Sequence, residues 1–171
     1  MRNPSGKSVV ELIKDVYFMY PTMEYRLRPL ARAAGVSAPA AKYVCVSLLK
    51  EGFLVKKADA YAARHDDEKF RREKRLWNLG HIEQSGLIEA LASALVPNAI
   101  ILYGSYARGE DWEQSDIDLA IVEKKRPQPP LAQFEQKLGR KIQVVFVGDL
   151  KKDLLNNLVN GIVLFGRWDP L

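Results

Sequence analysis

Tyr103-Gly104-Ser105-Tyr106-Ala107-Arg108-Gly109-Glu110 is followed, after a short loop, by Ser115-Asp116-Ile117-Asp118-Leu119. The apolar run from Ala99 to Tyr103 predicts a strand and the run from Ile117 to Glu123 a second, so the segment reads as strand, Gly-Ser turn, helix, strand. A glycine leaving a strand lets backbone approach a phosphate closely, and Ser105 adds a hydroxyl and an amide beside it. Asp116 and Asp118, two apart on a strand, share a face at roughly 6 to 7 Å, near enough to ligate a common divalent cation. Ile117 and Leu119 then face the core.

Working outward, a helix is expected from about Ile82 to Leu95, with Leu87, Ile88, Leu91 and Leu95 on one face and Pro97 as its stop. Lys141 to Val147 predicts a third strand, and helices are expected near Leu131 to Leu138 and Leu150 to Val159. Arg126-Pro127-Gln128-Pro129-Pro130 reads as a surface loop between elements.

The strand before Gly104, the Ala107-Arg108-Gly109 after the serine, and Ser-Asp-Ile-Asp-Leu at this spacing together resemble the signature of the DNA polymerase beta superfamily of nucleotidyltransferases. The likeness is to the short, minimal members and covers about residues 82 to 169, including Asn160-Gly161-Ile162-Val163-Leu164-Phe165-Gly166. It implies a small mixed-sheet domain that transfers a nucleoside monophosphate from an NTP, ATP first among them, to an acceptor hydroxyl, assisted by two divalent cations, Mg2+ or Mn2+. By the same resemblance Asp116 and Asp118 are the catalytic, metal-holding pair, Gly104 and Ser105 hold the leaving phosphates, and Arg108 either contacts nucleotide or braces the loop. The family also uses a third carboxylate on a later strand. Here that strand reads Lys141-Ile142-Gln143-Val144-Val145-Phe146, which puts Gln143, an uncharged amide, at the third position. Asp149 has the right parity but lies about 20 Å further along at strand rise; Glu135 would serve only if its helix swung over the site. Minimal nucleotidyltransferases of this kind are often antitoxins that adenylylate a HEPN-type ribonuclease toxin, which suggests a protein acceptor. The competing reading is a DNA-binding regulator whose nucleotidyltransferase fold is a nucleotide sensor or an inert scaffold.

The first eighty residues lie outside that likeness. Val9, Leu12, Ile13, Val16 and Met19 fall at helical spacing between Ser5 and Tyr20, with Pro21 following. A second helix is expected over Tyr25 to Ala34, ended by Gly35, and a third from the Ser37 cap to about Gly52. Residues 53–57 and 61–64 read as two short strands around a turn. Two helices joined by a glycine turn, then a hairpin, fit a winged helix-turn-helix. The fold expected is therefore α+β, with a winged helix-turn-helix over 1–65, a charged helical connector over 66–81 and the nucleotidyltransferase domain over 82–171.

Charge divides the same way. Residues 1 to 80 hold 16 Lys+Arg against 9 Asp+Glu, and residues 81 to 171 hold 10 against 12. A basic N-terminal part suggests a polyanionic partner, with Lys42 on the third helix and Lys56, Lys57 and Arg64 on the wing as the DNA contacts. Cys45, the single cysteine, sits among apolar neighbours and reads as a core residue. His65 and His81 lack companions at metal-ligand spacing. No apolar run approaches the roughly 20 residues that span a bilayer, and the Met-Arg-Asn-Pro start is no secretory signal, so a soluble, cytoplasmic protein with no membrane partner is expected.

Overall fold

Ser8 opens the first helix. Its hydroxyl accepts from the Glu11 amide at 3.3 Å while the Glu11 carboxylate accepts from the Ser8 amide at 2.7 Å, a reciprocal cap that starts α1 (Val9–Met19). The computed structural model describes residues 6–123, 131–147 and 158–168. They fall into two units, Met1–Lys74 and Arg75–Leu171, both mixing helices with a sheet.

In the first unit α1 is followed by β1 (Glu24–Arg26), α2 (Leu27–Ala33), α3 (Ala38–Lys50), β2 (Leu54–Lys57) and β3 (Ala60–Ala63). The helix expected from Tyr25 starts later. Pro29 lacks the amide that a helix interior requires and is tolerated only in the first turn, which sets the start at Leu27. The residues ahead of it pair instead with β3, Tyr25 opposite Tyr61, in an antiparallel sheet of order β1-β3-β2. Ser37 caps α3 through the Ala40 amide at 3.4 Å.

The core of this unit is aromatic. Phe18, Phe53 and Phe70 meet with ring centroids 5.1 to 5.6 Å apart, and the Tyr17 hydroxyl donates to the Tyr61 carbonyl at 2.9 Å. Cys45 is buried with them, its thiol pushed up to about 11 by burial, so it behaves as an inert core residue.

One helix, α4 (Glu68–Ser85), carries the chain across the division. The expected break before Ile82 falls instead at Gly86, which takes φ 78° and separates α4 from α5 (Leu87–Leu95). Ser85 marks that end: its hydroxyl donates to the Ile82 carbonyl at 2.6 Å and accepts from the Leu87 amide at 3.1 Å.

The second unit then runs β4 (Ala99–Tyr103), α6 (Gly104–Arg108), β5 (Ile117–Val122), α7 (Ala132–Leu138), β6 (Ile142–Phe146) and β7 (Ile162–Gly166). Its sheet has the order β6-β5-β4-β7, with β5 and β6 parallel and the other pairs antiparallel. One face packs Ile100, Leu102, Leu119 and Ile121 against Leu87, Leu91 and Leu138 of the helices. The other carries Ala99, Ile101, Tyr103 and Ala120, closed in part by Leu158. β7 was not expected from the sequence. The expected loop at Arg126 to Pro130 and the expected helix residues Leu150 to Asn157 lie outside the described residues. No helix among the described residues is long and apolar enough to cross a membrane.

Candidate functional site

β4 delivers the chain to Gly104, whose φ of 75° turns the backbone directly into α6. A Cβ on Gly104 would overlap the Asp118 carboxylate and sit 3.1 Å from its Cγ, so only glycine permits this approach. Strand register explains why the two meet. Tyr103 stands opposite Asp118 across the antiparallel β4–β5 pair, and Asp118 stands beside Gln143 across the parallel β5–β6 pair. Tyr103, Asp118 and Gln143 thus form one row over three strands, on the face away from Ile117 and Leu119, which are fully buried. Asp116 is exposed just before β5 begins, and Ser105 lies in the first turn of α6, half-buried.

The electrostatics tie these residues together. Burial raises the Asp118 carboxyl above the usual carboxylate range, the neighbouring Asp116 charge raises it further, and Arg108 partly offsets both. Tyr103 is raised by burial and by Asp118. Two carboxylates repelling each other beside a glycine turn are a favourable place for a cation. Arg108 is exposed and donates through Nε to Glu110 at 2.6 Å, an arrangement that braces the start of the α6–β5 loop while its charge still acts on Asp118.

That loop is held from beneath by residues that sequence reasoning missed. Asp111, Arg140 and Asn78 are buried polar groups. The Asn78 amide donates to the Tyr106 carbonyl at 2.8 Å and to Asp111 at 2.7 Å, Arg140 lies 3.8 Å from the other Asp111 oxygen, and Arg140 also donates to the Glu113 carbonyl. Helix α4, the loop before Asp116 and the chain entering β6 are thereby cross-tied. A burial signal was present for Asn78, which sits between Trp77 and Leu79, but nothing local marks Asp111 or Arg140.

Glu135, considered as a third carboxylate, has other work. Its Oε1 accepts from the Ile142 amide at 3.0 Å and its Oε2 pairs with Lys141 at 3.4 Å; the backbone bond first, then Lys141, holds the carboxyl below its usual range. It caps the start of β6. An open cleft of about 450 Å³ runs beside it, lined by Glu113, Ser115, Asp116, Gln136 and Lys141 among others. Asp149 lies outside the described residues. Among the described residues no three His, Cys, Asp or Glu side chains gather as a metal centre. Asp116 and Asp118, hard oxygen donors, with Gln143 in register beside Asp118, fit one hard divalent cation.

In the first unit Lys42 lies on the exposed face of α3, whereas Lys56 and Lys57 lie on β2 and Arg64 directly follows β3. Lys57 is paired with Glu24 at 2.8 Å, and Lys56 sits 5.8 Å from the centre of the Tyr61 ring.

A strand leading through a glycine turn into a short helix, with Asp118 on the adjoining strand and Asp116 just before it, is consistent with a nucleotidyltransferase-type domain. Residues 86–169 match the family model described as Polymerase beta, Nucleotidyltransferase. The match supports the nucleotidyltransferase superfamily for this unit and stops short of the first. No curated protein matches the chain.

Proposed function

We propose that the C-terminal unit binds an NTP, ATP in the first instance, together with Mg2+ or Mn2+, and moves its nucleoside monophosphate to a hydroxyl on a macromolecule. The observation that carries this is the contact of Gly104 with Asp118 inside the row Tyr103, Asp118, Gln143. Amides of the Gly104–Ser105 turn and the Ser105 hydroxyl hold the β- and γ-phosphates, and Arg108 adds charge at their edge. Asp116 and Asp118 hold the cation, which when bound neutralises charge on the triphosphate and lowers the pKa of a nearby hydroxyl. The acceptor hydroxyl gives its proton to solvent as its oxygen attacks the α-phosphorus, the bond to the bridging oxygen breaks, and pyrophosphate leaves. Gln143 supplies no negative charge where the family has its third carboxylate, so transfer is slow. A protein such as a HEPN-type toxin is the acceptor class that the resemblance suggests.

The N-terminal unit we read as a winged helix-turn-helix that binds duplex DNA. Its element order, with α2 and α3 joined by a turn at Gly35 and a β2–β3 hairpin following, supports this reading, as does the basic charge. Residues 1–65 form that module, 66–81 the connector and 82–171 the transferase domain, in a protein we place in the cytoplasm. With Lys57 neutralised by Glu24, Lys42, Lys56 and Arg64 carry the phosphate contacts.

Gln143 also favours a second reading, a DNA-binding regulator that senses nucleotide without turning it over. One experiment separates them. The full chain is incubated with α-labelled ATP, Mg2+ and lysate of its own host. Label that reaches a protein or RNA, and is lost with Asp116→Asn and Asp118→Asn, supports transfer. ATP binding that requires the cation but yields no labelled product supports the sensor, and ATP binding unchanged by EDTA overturns the site.

A further inference from the structure

Helix α3 turns a single stripe of side chains outward. Pro39, Lys42, Tyr43, Val46 and Lys50 are its exposed residues, all on one face at helical spacing, while Ala41, Val44, Cys45 and Leu48 fill the core behind. An outward face ordinarily carries polar groups. Here its middle is apolar: Tyr43 is 81% exposed and Val46 44%, neighbours one turn apart with a lysine before and a lysine after.

Charge selects what covers this stripe. Among the described residues Lys42 and Lys50 on α3, and Arg28 and Arg32 on α2, are exposed and form no ion pair, in a part of the chain with 16 Lys+Arg against 9 Asp+Glu. A polyanion fits, and the apolar pair says how it would be read. The stripe has no Arg, Asn, Gln, Asp or Glu, so it lacks the arginine fork for guanine, the amide for adenine and the carboxylate for cytosine. Its lysines can meet phosphate or guanine. Val46 can meet only the one apolar group in the major groove, the thymine 5-methyl, and the Tyr43 ring beside it can pack on the same group while its hydroxyl reaches a phosphate or a base edge.

We propose that Tyr43 and Val46 read thymine methyl groups in the major groove of duplex DNA, with Lys42 and Lys50 anchoring the helix on either side. The proposal rests on the winged helix-turn-helix reading and adds a base preference to it.

The test uses the full chain and two short duplexes of alternating adenine and thymine, alike except that one carries deoxyuridine for every thymidine, which removes the methyls and leaves every hydrogen-bonding group. Burying a methyl is worth about fourfold in affinity, so losing two gives about fifteenfold weaker binding to the deoxyuridine duplex at low salt. Tyr43→Ala with Val46→Ala should bind both duplexes alike, at the weaker level, with an unchanged melting temperature because both side chains project into solvent. Equal wild-type affinity for the two duplexes, or a difference that persists in the double variant, overturns the methyl readout and leaves the DNA-binding module standing. No affinity for either duplex even at low salt removes that module as well, and assigns the stripe to a protein contact.

Discussion

Replacing Gly104 by alanine tests the contact on which the functional reading turns. A non-glycine residue at φ 75° costs roughly 1–2 kcal/mol for left-handed backbone. In a unit of this size that lowers the melting temperature by about 5 to 15 °C. Gly86 is the matched control, since its φ is 78° and a Cβ there meets nothing within 4 Å. The two variants differ in what the added methyl touches. At Gly104 it collides with the end of the Asp118 side chain, whose Cγ would lie 3.1 Å and Cβ 3.4 Å away. A carboxylate end rotates aside at small cost, so both variants should melt at similar temperatures. The rotation nevertheless moves Asp118 away from Asp116 and from the Gly104–Ser105 turn. Mn2+ affinity, read by electron paramagnetic resonance in the presence of ATP, should fall tenfold or more for Gly104→Ala, equivalent to about 1.4 kcal/mol, and stay unchanged for Gly86→Ala. If Gly104→Ala binds Mn2+ and ATP like wild type, the close approach has no functional role; if Gly86→Ala loses binding equally, the loss is only destabilisation.

Gln143→Asp restores a charge beside Asp118 and should raise the transfer rate tenfold or more with little change in ATP affinity; single-turnover assays showing no gain would count against Gln143 as the limiting residue. Asp118 carries a raised carboxyl, so the folded state prefers it protonated, a preference that is present below the usual carboxylate range and lost as pH rises through the folded value. Asp118→Asn should therefore melt above wild type at neutral pH, with the gap closing under acid conditions; a gap independent of pH would show that charge is not its cause. Asp111→Ala removes the carboxylate that faces the buried Arg140 guanidinium and one of two acceptors of the Asn78 amide and should cost about 3 kcal/mol by urea denaturation, whereas Asp111→Leu with Arg140→Met should cost much less; equal losses would mean that packing, not charge, holds the loop.

What the sequence showed and what it hid follow from the range of the forces involved. The Gly-Ser turn and the strand carrying Asp118 were legible because adjacent residues determine them, an apolar run, a glycine, then alternation, whereas Asp116, expected on that strand, lies just before it. The Ser37 cap and the end of α2 at Gly35 were legible for the same reason. The expected start of α2 at Tyr25 differs from Leu27, where Pro29 in the first turn sets it, and the expected break before Ile82 differs from the one at Gly86, whose left-handed backbone ends α4. β7 was overlooked although Ile162 to Phe165 is an apolar run between two glycines, because a strand of five residues is recognised by its partner, and β4 lies about sixty residues earlier in the chain. The Asp111–Asn78–Arg140 tie was invisible for the same cause, its members coming from three separated segments whose meeting depends on tertiary packing.

Register also sharpens what the amide at Gln143 means. A sequence can suggest that a glutamine stands where a carboxylate is expected, but a one-residue slip would move it to the opposite face. The pairing of Asp118 with Gln143, and of Ile117 with Ile142 on the buried side, places the amide in the row with Asp118. The row and Asp116 then offer two formal negative charges rather than three. Two carboxylates suffice for one cation that arrives already bound to a triphosphate, since the nucleotide supplies the remaining oxygens. Among the described residues a second cation beside the acceptor would share the same two carboxylates, since Glu135, the alternative that sequence suggested there, is committed to the Ile142 amide and Lys141. On this reading nucleotide binding and turnover separate: binding needs only what the chain has, while fast transfer needs a negative charge that the acceptor or a partner bound in the cleft beside Asp116 would have to bring.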